Sequence, residues 1–343
     1  MILLKKRFIC LMLLAAILTF SGCSTKKADS TPKTEPAPAA DSASKTAEQK
    51  YYAPYTGEEV SKETLNNIAF MSIIENAPEA RPQSGFTEAD IVYEAMAEGG
   101  ITRCIAIYQS QISQKIGPVR SMRTYFLDLA YEYNLPFAHC GGSHDALARI
   151  KAENPMSLDE MYNTNSYWRD KAIKVQEHGL YTSSQRMQDL ASAKGYVKEP
   201  TVKLKFDKTY WVNPTSTAAN TATVKFNSQY TTSYTFKDGL YYKAMNNKPS
   251  LNKDDNKPVA VTNIVIQKVN YKTRAKELYL DADLIGQGEG YIISNGKAVK
   301  VTWSKADLHS QTIFKDENGN IVPLNPGKTW WHLLDQNANL TLN

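Results

Sequence analysis

Cysteine is scarce in this chain. Of its four cysteines, Cys10 and Cys23 fall at the extreme N-terminus, and only Cys104 and Cys140 lie beyond it. At most one disulfide can follow, and two buried thiols is the reading adopted, because free cysteine packs as a small apolar residue. Long hydrophobic runs are missing too. The apolar stretch at 8–20 is too short to cross a hydrocarbon layer of roughly 30 Å as a helix. Charge of one sign is also lacking. With Lys5, Lys6 and Arg7 set aside as part of that leader, 37 basic residues face 35 acidic ones. Such a balance argues against a polycationic surface for nucleic acid, which needs clustered lysine and arginine. Any basic site has to be local.

The first fifty residues have an order of their own. A charged start is followed by the apolar stretch and then by Ser21-Gly22-Cys23. Small residues before a cysteine leave room for a peptidase, and the pattern is that of a bacterial lipobox. The expectation is a signal peptide over 1–22, cleavage before Cys23, and a diacylglyceryl group on Cys23. That lipid would hold the chain at the extracytoplasmic face of the membrane. Residues 24–50 contain no aromatic and no large aliphatic residue, so they cannot offset their ordering entropy and read as a tether (23–50 with the anchor). A flexible segment of that length reaches roughly 30 Å.

Beyond the tether, strands and helices alternate up to about residue 197, and helical patterning then nearly disappears. The fold class expected is a mixed α/β domain over 51–198 followed by a β-rich domain over 199–343. Strands are expected at 67–76, at "ADIVYEAMA" and at "ITRCIAIYQ", the last two joined by the turn Glu98-Gly99-Gly100. Helices are expected at 124–134, after Gly141-Gly142-Ser143, and at 184–194 behind Thr182-Ser183. In the second half "TVKLKF" and six further runs read as strands. Asp238-Gly239, Asn295-Gly296 and Asn318-Gly319 are hairpin signals. No internal repeat of fixed period is present.

The stretch "IGPVRSMR" (116–123) carries the most informative conflict. Ser121 can cap the helix that follows, yet Arg120 and Arg123 sit where the partial positive charge of a helix N-terminus disfavours cations, at up to about 1 kcal/mol. Either an anion offsets them or an internal carboxylate such as Glu94 or Glu98 does. "HCGGS" supplies a second helix start, with Gly141, Gly142 and Ser143 able to present amides to an anion. Arg103 alternates with Ile105 and Ile107 on one strand face, so it is either paired in the core or aimed into a cleft. The candidate anion site is therefore Arg103, Arg120, Ser121, Arg123, Gly141, Gly142 and Ser143, with His178 closing it from the far side. If chemistry occurs there, His139 is the acid/base and Glu94 or Glu98 the second carboxyl. A metal on His139, His144, His178 and Asp145 lacks helical i, i+4 spacing, and no metal or cofactor is expected. Gly286, Gly288 and Gly290 imitate a dinucleotide fingerprint without the helix that should follow it. If extended, Trp330 and Trp331 face opposite ways, so at most one is a surface platform.

Taken together, "ENAPEARPQSG", "ADIVYEAMAEGGITR", "KIGPVRSMR", "HCGGS", "EHGLYTS" and "LNPGKTW" resemble the YerB-like family of bacterial lipoproteins, over about residues 60–340. Both halves of that family are domains of unknown function, so the resemblance implies a two-domain lipoprotein and names no reaction. It also makes a 104–140 disulfide less expected. Three readings follow. The first is a lipid-anchored module that recognises an anionic envelope group, a wall-polymer phosphate or a peptide carboxylate, through the arginines. The second is a hydrolase or transferase on envelope glycans or phosphodiesters using His139. The third is a scaffold that docks an envelope protein and takes no small ligand. Whether the chain is an enzyme stays open at this point.

Overall fold

A strand rich in aliphatic and aromatic residues on both faces must be covered on both faces, and that requirement organises the molecule. The computed structural model describes residues 49–197, 201–275 and 279–343. The signal segment, Cys23 and nearly all of the tether lie outside the described residues. The first half contributes β1 (Phe70–Glu75), β2 (Ile91–Met96), β3 (Thr102–Tyr108), α1 (Thr124–Tyr133), β4 (Phe137–His139), α2 (His144–Glu153), β5 (Ser157–Asp159) and α3 (Ser184–Ala193). The second half contributes β6 (Thr217–Ala218), β7 (Thr221–Lys225), β8 (Thr231–Lys237), β9 (Leu240–Met245), β10 (Asn263–Val269), β11 (Gly286–Ser294), β12 (Lys297–Lys305), β13 (Ile313–Lys315), β14 (Thr329–Asp335) and β15 (Asn339–Leu342).

Ten of these strands follow one path, β6-β12-β11-β10-β14-β2-β3-β1-β4-β5, and β13 joins on β12. The sheet therefore draws on both halves of the chain. Its seam is β14, which lies parallel to β10 on one side and to β2 on the other. Residues 49–343 form one compact unit around it. Alternate side chains serve two cores. Met71, Ile73, Ile105, Ile107 and Trp331 pack with Tyr125, Phe126 and Leu129 of α1. Phe70, Ile74, Cys104, Tyr108 and Trp330 face the other way, toward Met187 of α3 and toward Val224, Tyr234 and Tyr241 of a second sheet. That second sheet is antiparallel, in the order β15-β7-β8-β9, with short strands at 248–249 and 260–261 pairing β9.

The mixed α/β first half and the β-rich second half are as the patterning indicates, and all three helices lie within a residue of their expected ends. Asp238-Gly239 and Asn295-Gly296 turn β8 into β9 and β11 into β12, with positive φ at all four residues, the geometry of the favoured two-residue hairpin. Two expectations need correction. "TVKLKF" makes only a single bridge, Phe206 to Leu324. Asn318-Gly319 closes one bridge, Lys315 to Ile321, and joins no pair of long strands. As expected, Trp330 and Trp331 face opposite ways; both are buried, so neither is a surface platform. The three glycines at 286–290 lie within β11, where a Cβ on Gly290 would meet the Ile266 carbonyl oxygen at 2.2 Å. Close strand approach, and not a nucleotide, accounts for that residue. Cys104 and Cys140 are both free thiols, the first buried and the second half-buried.

One buried ion pair ties α1 to the far end of the sheet. Lys305 Nζ donates to Glu132 Oε2 at 2.8 Å, and the Thr312 backbone N–H donates to Glu132 Oε1 at 2.7 Å. Both side chains are at most 2% exposed. Removing one partner strands a charge in the core. Glu132→Ala is expected to cost about 3–5 kcal/mol in urea unfolding, whereas Glu132→Met with Lys305→Met recovers most of it.

Candidate functional site

The stretch 116–123 is extended, and it is stitched to its surroundings by backbone bonds. The Glu75 N–H donates to the Pro118 carbonyl at 2.9 Å, Val119 to Leu180 at 2.7 Å, and Arg120 to Ile73 at 3.0 Å. "HCGGS" lies directly beside it: Cys140 N–H donates to the Arg120 carbonyl at 3.1 Å and Ser143 N–H to the Met122 carbonyl at 3.1 Å. The two motifs are thus neighbours, as expected. Three amides of the glycine motif are thereby spoken for, because the Gly141 N–H also donates, to Asp159 Oδ1 at 2.9 Å. A backbone cradle of Gly141 and Ser143 is therefore filled by the protein's own acceptors. Gly142 is packed against Leu147 and the Met122 carbonyl. Ser121 does not cap α1 either. The N-cap position falls on Arg123, with no side-chain cap, and Ser143 likewise makes no capping bond to α2.

The arginines divide into two groups. Arg123 grips Glu98 with both Nε and Nη2, the latter at 2.8 Å, and Nη1 donates to the Met122 carbonyl at 2.8 Å. Its guanidinium also lies 5.2 Å from the Tyr279 ring centroid. Arg103 donates to the Ser121 carbonyl at 3.1 Å and stands 3.9 Å from the same carboxylate. Burial opposes ionisation of Glu98, but the bonds and charge of Arg123, then the charge of Arg103, hold its carboxyl below the usual range. Burial, then Arg123, lowers Arg103 to about 10, which leaves it cationic at neutral pH. Glu98 is thus the internal carboxylate that offsets the helix start.

Arg120 is held loosely. Its Nε is buried with no hydrogen-bond partner among the described residues, 3.5 Å from Glu75 Oε1. Its Nη1 is 3.5 Å from the Glu177 carbonyl and 3.9 Å from that residue's carboxylate. Charge-assisted bonds are normally near 2.7–2.9 Å. His178 reaches this place through Glu75, whose Oε2 is 2.8 Å from its Nδ1. A cleft of about 460 Å³ opens here, lined by Arg120, Ser121, Cys140, Arg169, Gln176 and Glu177 among others. Arg169, which sequence reasoning passed over, joins it on the same wall: Nη1 donates to the Gln176 carbonyl at 2.8 Å, and Nη2 stands 4.0 Å from Glu160.

His139 and Glu94 do not join this cleft. His139 is wholly buried, with Nδ1 2.7 Å from the Gly141 carbonyl and Nε2 2.8 Å from Ser157 Oγ. Burial lowers its pKa in spite of Asp159 nearby, so it is a neutral core imidazole with both nitrogens engaged. Glu94 pairs in register with Cys104, whereas Arg103 pairs with Ala95. Strand alternation therefore puts Glu94 on the opposite sheet face from Arg103. Among the described residues no group of three or more His, Cys, Asp or Glu is arranged to hold a metal ion.

Residues 55–197 match the N-terminal domain, and residues 222–331 the C-terminal domain, of a family described as proteins of unknown function, DUF3048. The chain belongs to the DUF3048 family. It is similar to the Bacillus subtilis (strain 168) protein named "Putative lipoprotein YerB", at 31% identity over 295 residues, covering 83% of this chain and 87% of that one. It is also similar to the crystal structure of YerB protein from Bacillus subtilis, with TM-score 0.76 and 29% identity, covering 85% of this chain and all of that one.

In this DUF3048 member the Glu94 side of the sheet carries a second polar cluster. Glu94 Oε1 accepts from Thr102 Oγ1 at 2.9 Å and Asn76 Nδ2 at 3.1 Å, and Oε2 accepts from Trp330 Nε1 at 2.9 Å. Burial opposes its ionisation, yet Lys243, His332 and these bonds together hold its carboxyl below the usual range. His332 Nε2 is 2.8 Å from Tyr234 OH, and Nδ1 is 3.7 Å from Glu94 Oε2 without a hydrogen-bond partner. Burial outweighs the attraction of Glu94 and lowers His332 to about 4, so the ring is neutral at neutral pH and lends Glu94 its charge only once protonated in acid. The unfolded chain takes up this proton near pH 6.5 and the folded chain near pH 4, so acidification through that window disfavours folding. Comparing wild type with His332→Gln, the stability difference should shift toward the variant between pH 6.5 and 4, by up to about 3 kcal/mol in urea titrations.

Proposed function

We propose that this protein is a lipid-anchored module of the cell envelope that recognises an anionic group at the cleft holding Arg120 and Arg169. The observation that carries the reading is the contrast between arginines: Arg123 is locked on Glu98, while Arg120 keeps a buried Nε without a partner among the described residues. A phosphate or carboxylate entering there would accept the short, charge-assisted bonds that Glu75 and Glu177 do not make. Glu177, three-quarters exposed, can swing outward to admit it. The original candidate set thereby contracts: Arg103, Arg123 and Glu98 form the support, and Ser121 lines the cleft. Recognition is favoured over catalysis because His139 and Glu94 sit apart from the cleft with their polar atoms engaged.

The anchor is read from Cys23 and from the name borne by the Bacillus subtilis relative. In this reading residues 1–22 are removed, 23–50 tether the folded part outside the membrane, and 51–198 and 199–343 act as two domains fused through one sheet.

Two measurements test this. Cys23→Ala should move the protein out of the membrane fraction. Arg120→Ala should weaken retention on purified anionic wall polymer by at least about tenfold, with an unchanged thermal midpoint, and Arg169→Ala should weaken it less. Equal retention by wild type and Arg120→Ala would remove the recognition reading.

A further inference from the structure

A second cleft, sharing no lining residue with the first, opens between the 76–86 segment and the end of β9. It has a volume of about 350 Å³, within the usual range for small-molecule sites, and its walls include Arg81, Pro82, Phe86, Lys243, Met245 and Trp330. Lys243 shares one strand face with Tyr241 and Met245, and its side chain is only 3% exposed. An ammonium offers three donors. Here Nζ donates to the Met245 sulfur at 4.0 Å, Glu94 Oε2 stands 3.9 Å away, and the Trp330 ring centroid lies 4.5 Å away. Glu94 is already occupied by Asn76, Thr102 and Trp330, so it balances the lysine's charge without accepting its protons. A buried cation without an oxygen acceptor is costly. Arg81 adds a second positive charge at the same wall, braced on the Asn76 carbonyl at 2.6 Å and lying 5.2 Å from the Tyr230 ring centroid. Among the described residues that line the cleft there is no aspartate or glutamate.

We propose that this cleft binds a small carboxylate carried on an apolar or aromatic body, with Lys243 as its charge partner and Phe86, Pro82 and Trp330 as its walls. One negative charge suits the place. It supplies the missing acceptor for Lys243, whereas a dianion would meet the Glu94 carboxylate directly behind the lysine. The apolar walls require a body that gains from leaving water. A free aromatic acid and the carboxyl end of a peptide with an apolar last residue share that chemistry.

The test uses the full-length, detergent-solubilised protein, with tryptophan fluorescence and NMR shifts as readouts. The probes are benzoate and N-acetylphenylalanine, each beside its amide. The acids are expected to bind at least about tenfold more tightly than the amides. Preference for benzoate points to a free acid, and preference for N-acetylphenylalanine points to a peptide end. Lys243→Met should abolish the acid's advantage. If that variant fails to fold because Glu94 loses its counter-charge, Ser250→Phe fills the cleft from a half-buried wall position and should block binding. Acid and amide binding alike, neither acid binding, or undiminished binding in Ser250→Phe would each overturn the proposal.

Discussion

The Glu94 carboxylate is the point at which the two halves of the chain are made to agree. Asn76 and Thr102 reach it from the first half, and Trp330, Lys243 and His332 approach it from the second. A buried carboxylate is tolerable only if its oxygens are satisfied, and these donors converge only when β14 pairs with β2 in one register. A slip of one residue would turn Trp330 to the other face and bring Trp331 in its place. The same alternation sends Trp330 into one core and Trp331 into the other, so the polar contact and both apolar cores depend on a single alignment.

Much of the fold was legible because local chemistry and tertiary demand point the same way. The hairpins at 238–239 and 295–296 follow from turn residues that accept positive φ, α1 follows from its buried face of Phe126, Ala130 and Tyr133, and α3 follows from Ser183, whose side chain accepts from the Arg186 N–H. What the sequence could not convey is the path of the sheet. Nothing in "KTWWHLLD" indicates that it runs parallel to a strand more than two hundred residues earlier, because parallel pairing is decided by packing partners. The same limit explains the misreading of "TVKLKF", whose alternation is that of a strand although most of it has no strand neighbour.

The candidate site was legible as a neighbourhood and misjudged as a mechanism. "IGPVRSMR", "HCGGS" and Arg103 do meet, and Glu98 was named as a possible internal partner. Glycine-rich composition suggested open amides, whereas Asp159 and the Met122 carbonyl already occupy them. His139 looked poised at a strand end but is fixed on both nitrogens. Arg169 carried no sequence signal, since it belongs to a two-residue strand. Lys243 did carry one: in "LYYKAM" it occupies the same alternating face as Tyr241 and Met245, an unusual place for an ammonium.

Because β14 follows both β2 and β10 in the chain and lies between them in the sheet, the molecule has a built-in order of assembly. Trp330 and Glu94 are separated by 236 positions, so the loop that their contact closes is almost the whole folded chain. Until β14 arrives, β2 and β10 each present an unpaired edge, the kind of surface that invites foreign strands. Contacts of such long range slow folding. A chain emerging N-terminus first would therefore carry its central gap exposed until β14 was free, and a truncation before Thr329 would remove the middle of the sheet instead of trimming its border.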